Sequence, residues 1–461
     1  METFEKDCIE CINKKTLGVN KMKLLWLKSL KPNEMALNIS LFKKLKQPKI
    51  IILHFGMLIM KFKVIIKNNL SDDTIGLPKN FSNKYTIPTN IPYDVYCKAG
   101  EIYLGPVIAF VSRGGFKQLK KQKYIRSLPS FLDYNSIKGL IIICTKGSID
   151  VDSGMIKGYY FDPRATDSEL EWKYGEFPLP NAILNHSLMS QEKISALRKK
   201  MGDKVFNSYW LNLDKWETWE FLSNNPMLKD HLPYTEKFLG FKQLNYLLEK
   251  YSSIYLKPAK RARGIGLMKL DKDNTGISLV DYKKKKYYFN DNQSLALFLN
   301  NKLAIPYIIQ QAVYFKKNDR HVDFRLILQK NSKKEWSLTG LIARIAQEGS
   351  IITNKKGREK SILGRKALTS IFKVSEERAK KIEVDMTQVV IETVKMYERK
   401  GYHLGDVAAD IAVDSNLKVW LLELQLNYGV NARTIEGLRD FFEKVISVPF
   451  KYAKALAGFE K

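Results

Sequence analysis

Apolar residues change their spacing twice along this chain, and the changes divide it. From about Lys21 to Lys79, short apolar runs alternate with polar turns, as in Ile50 to Phe55 and Leu58 to Ile66 around Gly56. That pattern predicts strands and a small β-rich N-terminal domain over residues 1–93. Between Asp94 and about Gly175 the runs become continuous, in Gly105 to Val111 and Gly139 to Cys144, with a helical stretch between them. Continuous apolar strands are those buried on both faces, so an α/β unit is expected at 94–189. From Ser190 onward the helical period takes over, with helices predicted over Gln191 to Lys200, from Asp214, and over Glu376 to Lys400 up to Gly401. Glu217 stands three residues after Asp214, the spacing of a capping box, and Trp216, Trp219 and Leu222 then share one helix face. Residues 190–461 form the third expected domain, in two lobes at about 214–304 and 305–450. The class is mixed, α+β with an α/β unit.

The segments between these helices carry the candidate chemistry. Ile254 to Pro258 is an apolar strand ending in Lys257, and a basic loop containing Gly264 and Gly266 leads to a second strand at Leu267 to Leu270. Such a hairpin can fold over phosphates, with Lys257 as a fixed positive charge, although surface hairpins of this kind are also common. The run Ile305 to Val313 ends in Gln310, Gln311, Ala312 and Val313. A buried strand of this kind can offer backbone groups to an adenine edge, and an ordinary core strand looks the same. Arg325 and Arg344 sit on neighbouring apolar strands. They can clamp a phosphate or acyl-phosphate through bidentate bonds, or form structural ion pairs.

Acidic groups follow. Folding Asp406 to Asp414 against Val419 to Asn427 about the Ser415-Asn416 turn brings Asp410 within about two residues of opposing Glu423. Glu423, Gln425 and Asn427 share a face by the two-residue period. Carboxylates brought together on apolar strands repel one another unless a hard cation such as Mg²⁺ bridges them. Otherwise Asp410 sits at a strand end in water.

Composition trims the alternatives. The 461 residues exceed the size of one hydrophobic core. A formal charge of +29 attracts polyanions of every kind. The densest basic run, Lys283 to Lys286, reads as a solvated strand end, and no nucleic-acid-binding motif accompanies it, so nucleic acid is not an expected partner. Four cysteines suggest a reducing compartment, and the cytoplasm is expected. Cys8 and Cys11 lack a second ligand pair for zinc, with Cys97 and Cys144 standing alone. The most apolar stretch, Ile50 to Met60, is about eleven residues against the roughly twenty a spanning helix needs, so no membrane association is expected.

Taken in order, the Lys after Asp214, the Lys-Pro and glycine loop, the Gln-Gln strand, Asp-Phe-Arg at 323–325, Ala-Arg at 343–344, and the final Asp and Glu resemble the YheC/YheD family of endospore-coat-associated ATP-grasp proteins. The likeness runs from about residue 94 to 450 and includes Phe177-Pro178-Leu179-Pro180, Phe206-Asn207, Asp214-Lys215-Trp216-Glu217, Leu232-Pro233-Tyr234-Thr235 and Thr353-Asn354. The resemblance implies an ATP-grasp fold, two α+β lobes holding ATP between them, preceded by the α/β unit. It further implies that Lys215 and Lys257 contact phosphates, that Gln310 to Val313 border adenine, that Arg325 and Arg344 face the transfer site, and that Asp410 and Glu423 hold Mg²⁺. Two departures stand out: Gln425 where the family's Glu-x-Asn has Asn, and a glycine loop made basic by Lys260, Arg261 and Arg263. The expected activity is a Mg-ATP-dependent ligase joining a carboxylate to an amine or similar nucleophile through an acyl-phosphate. The alternative is a non-catalytic ATP-binding protein of spore-coat assembly, with coat proteins or an acidic polymer as partners.

Overall fold

The computed structural model describes residues 22–120, 134–162, 172–207, 214–261, 264–313, 315–317, 320–354, 356–426, 428 and 439–460. Cys8, Cys11, Arg263 and Asn427 lie outside the described residues. The described residues build four sheets. The first has seven strands in the order Lys23–Leu27, Thr74–Pro78, Glu34–Leu37, Leu58–Ile66, Ile50–Phe55, Glu101–Gly105 and Asp94–Lys98. The last two, which open the segment expected as the second unit, hydrogen-bond into the first sheet. The second sheet is centred on the parallel strands Val107–Ser112, Leu140–Thr145 and Ala182–Asn185. Every residue of these three strands is buried, as their unbroken apolar runs require.

The first two sheets share one apolar core, and it is completed from far along the chain. Phe450, Tyr452 and Ala453 of the helix Arg439–Leu456, with Ala457 and Phe459 after it, are buried in that core. Lys454 pairs with Asp94 at 2.5 Å, fixing the helix to the first sheet's edge.

The third and fourth sheets form the two lobes that bear the candidate chemistry. In the third, the order is Thr235–Lys237, Tyr307–Gln311, Ser253–Pro258, Met268–Asp273, Gly276–Asp281 and Lys286–Phe289. Leu244, Leu247 and Leu248 of helix Phe241–Tyr251 and Leu295 and Leu299 of helix Asn292–Asn300 cover its apolar face. The fourth runs Arg358–Leu363, Trp336–Ala346, Arg320–Lys330, Asp406–Val413 and Val419–Gln425, with Phe315–Lys317 beside Arg320–Lys330. Phe324, Leu326, Ala343, Ile345, Ala409 and Ile411 pack one of its faces against the long helix Glu376–Arg399. Because side chains alternate along a strand, the residues between them, Asp323, Arg325, Arg344 and Asp410, project from the opposite face. An amphipathic sheet has thereby placed a row of charges on its second face, beside the stretch where Val445 of helix Arg439–Leu456 packs on Ile327 and Ala408.

Helix Lys215–Ser223 begins as the spacing predicts. Asp214 accepts from the backbone N–H of Trp216 and Glu217, and the Glu217 carboxylate accepts from Asp214 N at 2.8 Å, a full capping box. The cap holds Lys215 at the first helical position.

Candidate functional site

Lys215 and Lys257 meet beneath the glycine loop. Lys257 lies near the end of strand Ser253–Pro258 and donates to Gln310 Oε1 at 2.5 Å, while Gln310 Nε2 donates to Thr235 Oγ1 at 2.9 Å. The Gln310 amide is thus engaged at both ends inside the sheet. Lys215 Nζ donates to the carbonyls of Pro258 at 3.0 Å and Arg261 at 2.5 Å, tying the helix start to the base of the loop. Neither ammonium has a carboxylate in contact among the described residues. Burial, reinforced by the neighbouring Lys215 charge, lowers the Lys257 pKa to about 8 against the pull of Glu423. Burial likewise lowers Lys215, with Glu423 opposing. Recessed cations short of a counter-charge are suited to an anionic ligand.

The loop needs its glycines. Gly264 and Gly266 have φ of 70° and 82°, and a Cβ on Gly266 would lie 2.8 Å from Pro258 Cγ. At Gly264 the nearest atoms belong to Ile352 and Asn354, so the loop rests on the second lobe. On the neighbouring strand, Gln311 N donates to Tyr234 O at 2.8 Å and Ala312 N to Ser253 O at 3.1 Å, while Val313 is buried.

The charge row of the fourth sheet faces this loop. Asp410 stands directly opposite both Arg325 and Glu423, the latter through a bulge between Asp410 and Ile411. Arg325 holds Asp410 in a fork, Nε to Oδ1 at 3.0 Å and Nη2 to Oδ2 at 3.1 Å. Arg344 holds Asp323 the same way, at 2.8 and 2.6 Å, and lies 3.2 Å from Asp410 Oδ2. Burial opposes the Arg344 charge, but Asp323 and Asp410 outweigh it and raise its pKa. Gln425 Nε2 donates to Asp410 Oδ2 at 3.1 Å. Both oxygens of Asp410 are therefore engaged by the protein, and both arginines expected as clamps are ion-paired.

Glu423 differs from its neighbour. It is open to cleft water yet recessed among protein atoms, and it has no hydrogen-bond or ion-pair partner among the described residues. That recess, with the Asp410 charge beside it, raises its pKa, while Lys215, Lys257 and Arg325 pull the other way. The mutual influence of Glu423 with Lys215 and Lys257 joins the two lobes across one cleft.

Among the described residues no three His, Cys, Asp or Glu side chains are grouped to hold a metal ion. A hard cation can still be met by oxygen donors of mixed kind. The Glu423 carboxylate and the Gln425 amide oxygen fit that need, and Asp410 can join them only by sharing oxygens with Arg325.

Three residues of this floor were given no site role from the sequence, although Asp323 and Thr353 stand within the motifs it offered. Asp323 lies two positions before Arg325, so the period that turned Arg325 inward turns Asp323 inward too. Thr353 donates to Asp323 Oδ2 at 2.5 Å from a loop with no regular period. Arg358 reaches the face only through an irregularity in its strand.

Comparison with known proteins agrees with the order of these elements. The profile of the family described as YheC/D like ATP-grasp matches residues 202–456, more than half of the chain. Endospore coat-associated protein YheD of Bacillus subtilis (strain 168) is 22% identical over 430 residues, covering 90% of this chain and 92% of that protein. Endospore coat-associated protein YheC of the same organism is 25% identical over 223 residues, or 47% of this chain and 60% of that one. Among solved structures, D-alanyl-alanine synthetase A from Vibrio cholerae O1 biovar eltor str. N16961 superposes with a TM-score of 0.43 at 9% identity, covering 76% of this chain and 97% of that chain. The third and fourth sheets lie within the matched span, and this chain belongs to the YheC/D-like ATP-grasp family.

Proposed function

We propose that the protein is an ATP-dependent ligase that activates a carboxylate as its acyl-phosphate and passes it to an amine or similar nucleophile. The observation that carries this reading is the pairing, across the cleft, of two under-compensated lysines with one uncompensated carboxylate. A nucleotide's phosphates would occupy the lysines, and a cation would answer the carboxylate.

In the first step a carboxylate oxygen of the acceptor attacks the terminal phosphorus, and the bond to the ADP oxygen breaks. In the second the nucleophile attacks the acyl carbon and phosphate leaves. Lys257 and Lys215 neutralise the nucleotide's phosphates, and the glycine loop keeps water from them. Arg325 and Arg344, held rigid by Asp410 and Asp323, present their remaining N–H groups to the transferring phosphoryl group without having to reorient. Magnesium, bound by Glu423 and Gln425 with Asp410 beside them, would supply charge neutralisation between phosphates.

A second reading has its own support. Both Asp410 oxygens are engaged by Arg325, Arg344 and Gln425. That favours a non-catalytic ATP-binding protein, acting with coat proteins or an acidic polymer in spore-coat assembly. Incubation with Mg-ATP and panels of carboxylates and amines separates the two. The ligase releases ADP only with the matching pair; the assembly protein binds nucleotide and releases none. Absence of any adenine-nucleotide binding by folded protein, measured by calorimetry, ends both readings.

A further inference from the structure

The charges of the cleft floor balance in pairs until its outer edge. Arg325 answers Asp410 and Arg344 answers Asp323, whereas Arg358, at the start of the edge strand Arg358–Leu363, answers nothing. Its side chain is half-buried and has no hydrogen bond or ion pair among the described residues. The acids nearest in sequence are turned away, since Glu359 and Glu348 both face Arg320, at 2.5 and 4.0 Å.

A bulge makes this arrangement. Ser361 pairs with Arg344 and Lys360 with Ile345, but Ala346 pairs with Arg358, so Glu359 is skipped. Without the extra residue Glu359 would oppose Ala346 and face the cleft, and Arg358 would face away. The bulge exchanges a negative side chain for a positive one on the functional face. Burial, together with the Arg344 and Arg325 charges, lowers the Arg358 pKa. A guanidinium stays charged in any case, so an unpaired cation is held beside two others at a cost to folding.

Position separates Arg358 from the nucleotide end. Glu423, coupled to Lys215 and Lys257, lies on the opposite edge strand of the same five-stranded path, four strand spacings or roughly 19 Å away. The charges that act on Arg358 are those of Arg344, Arg325 and Asp323 instead.

We propose that Arg358 receives a carboxylate of the acceptor, so that the substrate to be activated is an acidic molecule bearing a carboxylate besides the one that reacts. The inference rests on the ligase reading for its picture of the cleft, but its central test needs no nucleotide. Hexaglutamate, a polycarboxylate probe, is titrated into the full chain and into Arg358→Gln, Arg358→Lys and Lys356→Gln at 0.15 M salt, where the screening length is about 8 Å. Arg358→Gln should weaken binding at least tenfold, Arg358→Lys should retain part of it, and Lys356→Gln, which removes an exposed charge two residues away, should change it little. The melting temperature of Arg358→Gln should hold or rise, since no partner is lost.

Two further titrations locate the oxyanion. Mg-ADP and Mg-AMPPNP should bind Arg358→Gln and the unaltered chain equally. The proposal is overturned if hexaglutamate does not bind, if Lys356→Gln weakens it as much as Arg358→Gln, or if Arg358→Gln weakens Mg-AMPPNP and spares hexaglutamate, which would make the terminal phosphoryl its ligand. Failure of Mg-ADP to bind the unaltered chain removes the ligase reading instead, and leaves the hexaglutamate result standing.

Discussion

Asp410 and Glu423 face each other as a direct cross-strand pair, yet among the described residues only Asp410 is compensated. Like charges opposed on one sheet face destabilise it. Without metal, Glu423→Gln should therefore unfold no earlier than the unaltered chain. With magnesium, the unaltered chain should gain several degrees of melting temperature and the variant should gain none, while metal-dependent turnover is lost. An equal magnesium response in both proteins would remove Glu423 from the metal site.

Gln425 reaches one methylene further than the Asn of the family pattern. If its amide oxygen is a ligand, Gln425→Asn should be tolerated and Gln425→Ala should raise the magnesium needed for half-maximal activity. Asn427→Ala is the comparison. A magnesium requirement that moves only with Asn427 assigns the ligand there.

Lys257 sets a pH dependence. Its pKa is lowered to about 8 from 10.5, so between those values the unfolded chain holds a proton the folded one has released. Stability of the nucleotide-free protein should rise with pH across that window from this group, and Lys257→Met should abolish the rise. Phosphates would restore the proton. Nucleotide affinity should accordingly weaken as pH climbs through about 8, with proton uptake visible in calorimetry across buffers of different ionisation heat. Lys257→Met should cost roughly tenfold to a hundredfold in affinity, as a charged hydrogen bond does. An affinity flat from pH 7 to 9 would show that Lys257 does not meet the phosphates.

Arg344 and Arg325 should separate in denaturant unfolding. The Arg344 side chain is 7% exposed and serves two carboxylates, whereas Arg325 is 18% exposed and shares Asp410 with Arg344. Arg344→Met should cost about 3 kcal/mol, as expected when one partner of a buried pair is removed. Arg325→Met should cost about 1 kcal/mol, nearer the range of accessible pairs. Equal costs would mean that Asp323 finds another partner.

What could be read beforehand was whatever depends on neighbours in sequence. The capping box at Asp214, the long helix ending before Gly401 and the opposition of Asp410 to Glu423 across a short turn all follow from local spacing. The partners of Arg325 and Arg344 were open, because they depend on the register of strands remote in sequence. Arg358 was hidden for a sharper reason: one skipped residue reverses the parity on which any two-residue pattern is counted. The attachment of Asp94–Lys98 to the first sheet was equally out of reach, since an apolar strand does not announce its neighbour.

The helix Arg439–Leu456 gives this protein an unusual order of completion. Strands more than three hundred residues earlier wait for Phe450, Tyr452 and Phe459 before their core closes. During synthesis the first two sheets therefore emerge well before the residues that complete their core. Proteins of this size usually consolidate from the N-terminus forward. Here the early part of the chain is completed by residues 450–459, while Val445 of the same helix packs on Ile327 and Ala408 of the fourth sheet, so one helix closes the base and braces the cleft together.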